Sequence, residues 1–532
     1  MDRRLLLRQT LAVACGAYPS AGAWAGRGAD AFPFALGVAS GAPHDTGMVL
    51  WTRLAAAALP SPLTPAAVRW ELADDERFSR IVRAGTAMAL PELGHAVHVE
   101  VQGLAPGRWY HYRFLLGDAV SEVGRTRTAP PADALPDRLR FAFASCQRWE
   151  HGYYTAWRDV VAQSPDLVVF LGDYIYEYAS PRHPQTPPVR SHALRHAVSL
   201  ADYRDRYALH KSDADLRAAH RACPWIATWD DHEVANDYAG LRNPADGPDA
   251  DPFPARRAAA YQAYYENMPL PASALVRGLA GLGDPGGVRV QQRHAFGRLA
   301  RVHLLDTRQY RDVQACRDPA ADGTAGSGAR GTVRAADCPA LQDPARTLLG
   351  AAQERWIADG LAQDGRDRRT RWTIVAQQTL FSPRHYGGNP ATEPVPTDTW
   401  DGYPAARRRL LSAIDAGAPR NTVFVGGDIH QNYVCDVHAQ GATEGPVLAT
   451  EFCGTSITSL SGATPARLAA LQQRNPQIVF ANAEKRGYGL VDLTPRGWET
   501  RLRAVDRIDD PDSGVSTLAT FAVEDGRPGI AR

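Results

Sequence analysis

Four apolar runs in this 532-residue chain each end in side chains able to bind a metal ion. "LRFAFASCQ" delivers Cys146, and "LVVFLGDYIYEY" delivers Asp173 with Tyr176 three residues later. "PWIATWDDHE" delivers Asp230, Asp231 and His232, and "NTVFVGGDIHQNY" delivers Asp428 and His430. Thiolate, carboxylate, phenolate and imidazole together suit an iron-type ion beside a second cation held by oxygen ligands. Taken singly, each has an ordinary account: Cys146 as a small buried hydrophobe, Asp173, Asp230 and Asp231 as caps, His232 as a core histidine, and Asp428 with His430 as a closed turn. Taken together they do not, because acidic groups gathered at one sheet edge repel unless a cation neutralises them. A dinuclear or larger metal site is the economical expectation. Gly426 and Gly427 are expected to let the backbone pass close to that cluster.

Strands must carry these groups to one place. The runs at 139–145, 166–172, 224–229, 299–305, 371–378, 421–427, 446–452 and 488–494 read as buried strands, and "GYYTAWRDVVAQ", "DADLRAAHRA" and "AAQERWIADGLAQ" as helices between them. This alternation predicts an α/β layered domain over residues 138–505 with helices on both faces. In such sheets chemistry collects beyond the carboxyl ends of strands, which is where all four ligand sets fall. Residues 33–128 differ: short alternating runs broken by Gly/Pro/Asp turns predict a small β-sandwich. There "GLAPGRWYHYRF" resembles the tyrosine corner of fibronectin-III-like domains. "TAPPADALPD" marks the boundary, and residues 506–532 read as a C-terminal tail.

With 59 basic and 58 acidic residues the formal net charge is +1, which leaves no nucleic acid-binding surface and no footprint for anionic lipid. An anionic substrate must be met by a local site. No apolar run approaches the ~20 residues that span a membrane. Residues 1–25 combine Arg3-Arg4, a short apolar run and Ala23-Trp24-Ala25, an export signal resembling the twin-arginine type. The runner-up is a lipoprotein signal ending at Cys15. The protein is expected in the periplasm or secreted, as a monomer. Cys316 and Cys338 read as a loop-closing disulfide, Cys435 and Cys453 as a candidate second bridge, and Cys223 as a buried structural thiol.

The four ligand motifs, with "YALHKSDADLRAAHRACPWIATWDDHEVANDY", "LDTRQYRD", "DTWDGYPAARRRLL" and "TEFCGTSITS", resemble the PhoD-like alkaline phosphatase and phosphodiesterase family. The likeness runs over roughly residues 30 to 500. It implies a metallophosphoesterase-type α/β/β/α sandwich preceded by a small all-β fibronectin-III/Ig-like domain. It further implies Fe(3+) on Cys146, Asp173, Tyr176 and His430, with Asp173 bridging to Ca(2+) held also by Asp231 and Asp428. Asp230 is the alternative to Asp231, because the match is ambiguous by one residue. His232 falls where a histidine reaches the substrate phosphate, and Asp401 is a candidate for a further calcium ligand.

The expected function is an exported hydrolase of phosphate mono- or diesters, with metal hydroxide attacking phosphorus in line and His232 serving the leaving oxygen. A phospholipase-D-type phosphodiesterase uses the same metal pair. A non-catalytic exported binding protein is the third reading, since a fold alone does not guarantee activity.

Overall fold

The computed structural model describes residues 32–180, 187–242, 253–275, 288–316, 331–387 and 393–531. The expected export signal lies outside the described residues. In the N-terminal part, β1 (Val38–His44), β2 (Gly47–Arg53), β3 (Ala66–Ala73), β4 (Ile81–Ala89), β5 (Ala96–Val101), β6 (Trp109–Leu116), β7 (Ala119–Val120) and β8 (Gly124–Arg127) follow one another. β4-β3-β6-β7 form one sheet with β8 on β6. Against it pack β1, β2 and β5, around Val38, Leu50, Val99, Leu72, Tyr112 and Phe114. The tyrosine corner is present: the Ala105 amide donates to Tyr110 Oη at 3.0 Å.

The larger part continues with β9 (Leu139–Ala144), α1 (Thr155–Ala162), β10 (Leu167–Phe170), α2 (Leu200–Lys211), α3 (Ala214–Ala222), β11 (Trp225–Ala227), α4 (Phe253–Asn267), β12 (Gln292–Phe296) and β13 (Ala300–Leu304). Then come β14 (Thr332–Arg334), α5 (Gly350–Asp367), β15 (Trp372–Ala376), β16 (Pro394–Pro396), α6 (Pro404–Gly417), β17 (Thr422–Gly426), β18 (Asn432–His438) and β19 (Val447–Cys453). α7 (Pro465–Arg474), β20 (Ile478–Asn482), β21 (Arg486–Leu493), β22 (Gly497–Val505) and β23 (Val515–Glu524) complete the chain.

Two large sheets result, in the orders β23-β22-β21-β9-β10-β11-β1-β2-β5 and β12-β13-β15-β17-β19-β18-β20. Period-two alternation decides what each face meets. Phe141, Phe143, Val169 and Ile226 of the first sheet share a core with Val302, Ile374 and Val425 of the second. The intervening residues point outward: Ala142, Val168, Phe170 and Trp225 pack on Trp157 of α1, Tyr207 of α2, Leu216 of α3 and Tyr264 of α4. On the far side Val375 and Phe424 pack on Ile357 and Leu361 of α5 and Leu410 and Ile414 of α6. Each such side chain contributes about 1.5–3 kcal/mol on burial, so both faces of both sheets are held. The chain is thus mixed α/β with an all-β N-terminal part. Among the described residues no helix is long and apolar enough to cross a membrane.

Three expectations need correction. The sandwich is not set apart: β1 pairs in parallel with β11, Gly41 opposite Trp225, so the N-terminal strands extend the main sheet. Gly41 is needed there, since a Cβ would lie 2.6 Å from the Pro269 carbonyl oxygen. Residues 506–532 are no tail, because β23 pairs along β22 and closes the sheet edge. Cys316–Cys338 is a disulfide, but Cys435 and Cys453 are free and buried. Register explains the latter: Cys453 stands opposite Tyr433 and Cys435 opposite Glu451, so the two thiols sit on a diagonal.

Candidate metal centre

β9, β10 and β11 lie side by side and parallel, so the loops bearing Cys146, Asp173 and Asp231 emerge together. β17 brings Asp428 and His430 from the other sheet. The two sheets meet at Gly427, where a Cβ would stand 2.2 Å from Ser145 Oγ. The glycine thus admits the neighbouring strand end beside Cys146. Cys146, Asp173, Asp428 and His430 all have left-handed backbones, with φ of 60°, 58°, 65° and 55°. Four such non-glycine residues at one place store strain, which persists only where the surroundings over-determine it. Glu233 supplies part of that determination. Its carboxylate accepts from the amides of Asp173 at 3.1 Å, Tyr174 at 2.5 Å and Asp230 at 2.8 Å, tying two strand-end loops together.

The side chains converge. Donor atoms of Cys146, Asp173 and His430 lie within 4.8 Å of one another, as do those of Asp173, Asp231 and His232, so Asp173 belongs to both groups. Tyr176 Oη donates to Asp173 Oδ2 at 2.9 Å and lies 3.2 Å from His430 Nε2. Asp173 Oδ1, Asp230 Oδ2 and Asp231 Oδ1 are buried without a hydrogen-bond partner among the described residues. Such orphaned carboxylate oxygens are costly unless a cation meets them. The donor set and the orphaned atoms fit a metal pair.

Electrostatics point the same way. Burial pushes the Asp173 carboxyl well above its usual range, helped by the neighbouring Asp231 and Asp230 charges. Burial also raises Asp428 to about 6 and lifts the Cys146 thiol and the Tyr176 phenol. The same burial lowers His430 to about 3, leaving a neutral imidazole whose Nδ1 faces the Leu460 carbonyl at 3.0 Å. The protein alone thus disfavours the anionic forms of Asp173, Asp428, Cys146 and Tyr176, a balance that a bound cation reverses, whereas the Asp231 carboxyl is lowered against burial by the Arg308 and His232 charges.

Not every expected ligand joins the clusters: Asp428, Asp230 and Asp401 enter none of them among the described residues. Asp230, the alternative to Asp231, is hydrogen-bonded to Arg308 Nε. Asp401 is taken by Arg407 Nη1 at 2.7 Å and enters no donor cluster among the described residues. Its near neighbour Asp398 does, beside Asp231 and Asp237. His232 Nδ1 is 2.8 Å from Glu177 Oε2, and the Tyr176 ring lies 4.2 Å from the imidazole. Against the pull of burial, the Glu177, Asp173 and Asp231 charges raise His232 well above an ordinary histidine.

Family models discriminate further. One described as PhoD-like phosphatase matches residues 141–502, and one described as its N-terminal domain matches residues 20–130. The chain belongs to the PhoD-like phosphatase family. With that, the reading of a phosphoric ester hydrolase stands. Alkaline phosphatase D of Bacillus subtilis (strain 168) is 40% identical over 513 residues, 94% of this chain and 82% of that protein. A solved structure of PhoD superposes with a TM-score of 0.85 at 39% identity, covering 95% of this chain and 93% of that one.

Within this PhoD-like site, sequence reasoning missed four residues. Glu233 and Glu177 sit inside the quoted motifs, yet nothing local says that one ties loops and the other orients His232. Arg308 follows β13, a fifth strand end, where a cation does not announce itself as part of a metal site. Ser459 is hidden in a loop after β19, and only the fold brings its hydroxyl 2.7 Å from Tyr176 Oη. The Glu177 contact makes a prediction. Glu177→Gln removes the charge that keeps His232 protonated, so the alkaline limb of the kcat profile should move to lower pH. A pH–rate profile on a nitrophenyl phosphate checks this; an unmoved limb rejects the pairing.

Proposed function

We propose that this chain is an exported, metal-dependent hydrolase of phosphate esters. In this reading Cys146, Asp173, Tyr176 and His430 hold iron(III), and Asp173, Asp231 and Asp428 hold calcium. The observation that carries it is Asp173, whose carboxylate belongs to two overlapping donor clusters and keeps one buried oxygen without a partner. The layering of helices, two sheets and helices is, in this proposal, of the metallophosphoesterase type. The first 25 residues act as a twin-arginine signal; cell fractionation and the N-terminus of the mature protein test that part.

When bound, such a pair supplies Lewis acidity and acidifies water toward neutrality. The chain's own residues do the rest. Asp173 fixes the spacing of the two positions, and Glu177 holds His232 in one tautomer with Nε2 free for a substrate oxygen. In its protonated form His232 donates to that oxygen as charge leaves phosphorus. Arg308 anchors Asp230 and Asp398 and leaves Asp231 and Asp428 only loosely engaged, at 3.8 and 4.0 Å.

Elemental analysis of the purified protein should find iron and calcium, and chelation should abolish cleavage of p-nitrophenyl phosphate. Activity undiminished in a protein free of both metals would sink the proposal. A stability signature accompanies it. Asp428 titrates at about 6 in the metal-free fold against the 3.8 of an ordinary aspartate, so the folded state binds more protons between those values. The stability that Asp428 contributes to the metal-free protein is therefore lost as pH rises from about 4 to 6, whereas in the loaded protein this loss is absent. Melting temperatures of the two forms should diverge across that window.

A further inference from the structure

The Ser459 side chain is fully buried, and three groups surround its hydroxyl. Tyr176 Oη lies at 2.7 Å, the Cys146 carbonyl accepts from it at 2.9 Å, and the Arg148 amide donates to it at 3.2 Å. Tyr176 Oη also donates to Asp173 Oδ2 at 2.9 Å. Without a metal, the two hydroxyl protons can fill only two of three contacts at a time: Tyr176 to Asp173, Tyr176 to Ser459, and Ser459 to the Cys146 carbonyl. Coordination of Tyr176 releases its proton to solvent and leaves an oxygen that only accepts. The single proton of Ser459 then chooses between a phenolate at 2.7 Å and a neutral carbonyl at 2.9 Å. Charge-assisted hydrogen bonds are roughly twice as strong as neutral ones, so the phenolate takes it. The carbonyl is not orphaned by that turn, because the amides of Thr458 and Ser459 already donate to it at 3.3 and 3.2 Å.

We propose that Ser459 is a positioning residue for the metal-bound Tyr176 oxygen, its hydroxyl turning from the Cys146 carbonyl to the phenolate when the site is loaded. This rests on the iron assignment to Cys146 and Tyr176 made above. The same hydroxyl spans both proposed iron ligands, so it sets the Tyr176 oxygen relative to the Cys146 backbone and withdraws electron density from the phenolate. Partners of this kind are worth about 10–100-fold in metal affinity or activity.

The test is the visible absorption of the iron-loaded enzyme, in which a phenolate ligand gives a charge-transfer band. Ser459→Ala leaves the phenolate a richer donor, so the band moves to longer wavelength and kcat falls about ten-fold. Ser459→Thr, which keeps the hydroxyl, restores the band. An unmoved band at equal iron content overturns the proposal, since a merely structural serine would lower stability without touching the phenolate. Should Ser459→Ala fail to fold or to retain iron, the natural enzyme decides by resonance Raman spectroscopy. A phenolate C–O stretch that shifts between H2O and D2O bears the hydrogen bond out, and one that does not shift overturns it. A loaded natural enzyme with no charge-transfer band at all removes Tyr176 from the metal and this proposal with it, a failure distinguishable from the loss of Ser459 alone.

Discussion

Asp173→Asn is expected to lower kcat/KM by about 10^3-fold or more, roughly 4 kcal/mol of transition-state stabilisation. Asparagine is the informative replacement because Asp173 sits at φ 58°, a left-handed conformation that asparagine tolerates and alanine resists by about 1–2 kcal/mol. The substitution keeps the volume and the hydrogen bond from Tyr176, and it removes one negative charge shared by both proposed cation positions. The loss should therefore appear as missing metal and missing turnover together. The fold should survive. Burial and the Asp231 and Asp230 charges already disfavour an ionised Asp173, so neutralising it should leave the metal-free protein as stable as before, or more so, at pH 8. Calorimetry of metal-free protein alongside metal analysis checks both halves. A variant that retains both metals and full rate sinks the bridging role, and one that simply unfolds assigns Asp173 to structure instead. Cys146→Ser should follow the same pattern with the iron alone.

The proposed ligands were legible as candidates because each set follows the end of its own strand. A run such as "LVVFLG" declares a buried strand by composition, and the next side chain is placed by the end of that strand alone. The residues that support the ligands obey no such local rule. Glu233 matters because β10 and β11 are adjacent, and Ser459 matters because the loop after β19 folds back over Cys146. Both facts belong to long-range pairing. Register shows the same limit. Cys435 and Cys453 lie on strands whose adjacency could be read, whereas the two-residue offset that keeps the thiols apart could not. β23 failed for another reason: in "VSTLATFAVE" most side chains stay partly or fully exposed, as an edge strand allows, and that weak pattern reads as a tail. The union of the N-terminal sandwich with the main sheet turns on a single residue pair, Gly41 with Trp225, that no periodicity announces.

Arg308→Met should destabilise the metal-free protein by about 3–5 kcal/mol, the usual penalty for removing one partner of a buried ionic cluster. The guanidinium is almost wholly buried and faces Asp230, Asp231, Asp398 and Asp428. It bonds Asp230 directly and reaches Asp398 at 2.7 Å, where Arg311 supplies a second cation at 2.6 Å. Asp398 is accordingly held well below the usual carboxylate range. Asp230 has no such second cation and is raised even with Arg308 present, so the cost of the substitution falls mainly there. Asp231 and Asp428 stand too far from Arg308 for hydrogen bonds, at 3.8 and 4.0 Å, and in the proposed assignment a bound cation compensates them instead. Metal loading should therefore recover part of the lost stability but not all of it, because Asp230, unlike Asp231 and Asp428, bonds Arg308 directly and loses that partner. Urea unfolding of loaded and metal-free Arg308→Met, against the same pair of the natural protein, measures that recovery. Full recovery would make Asp230 a ligand after all, returning the choice between Asp230 and Asp231 to the metal. No recovery would mean that the cation sits elsewhere, and the assignment of Asp231 and Asp428 would fall.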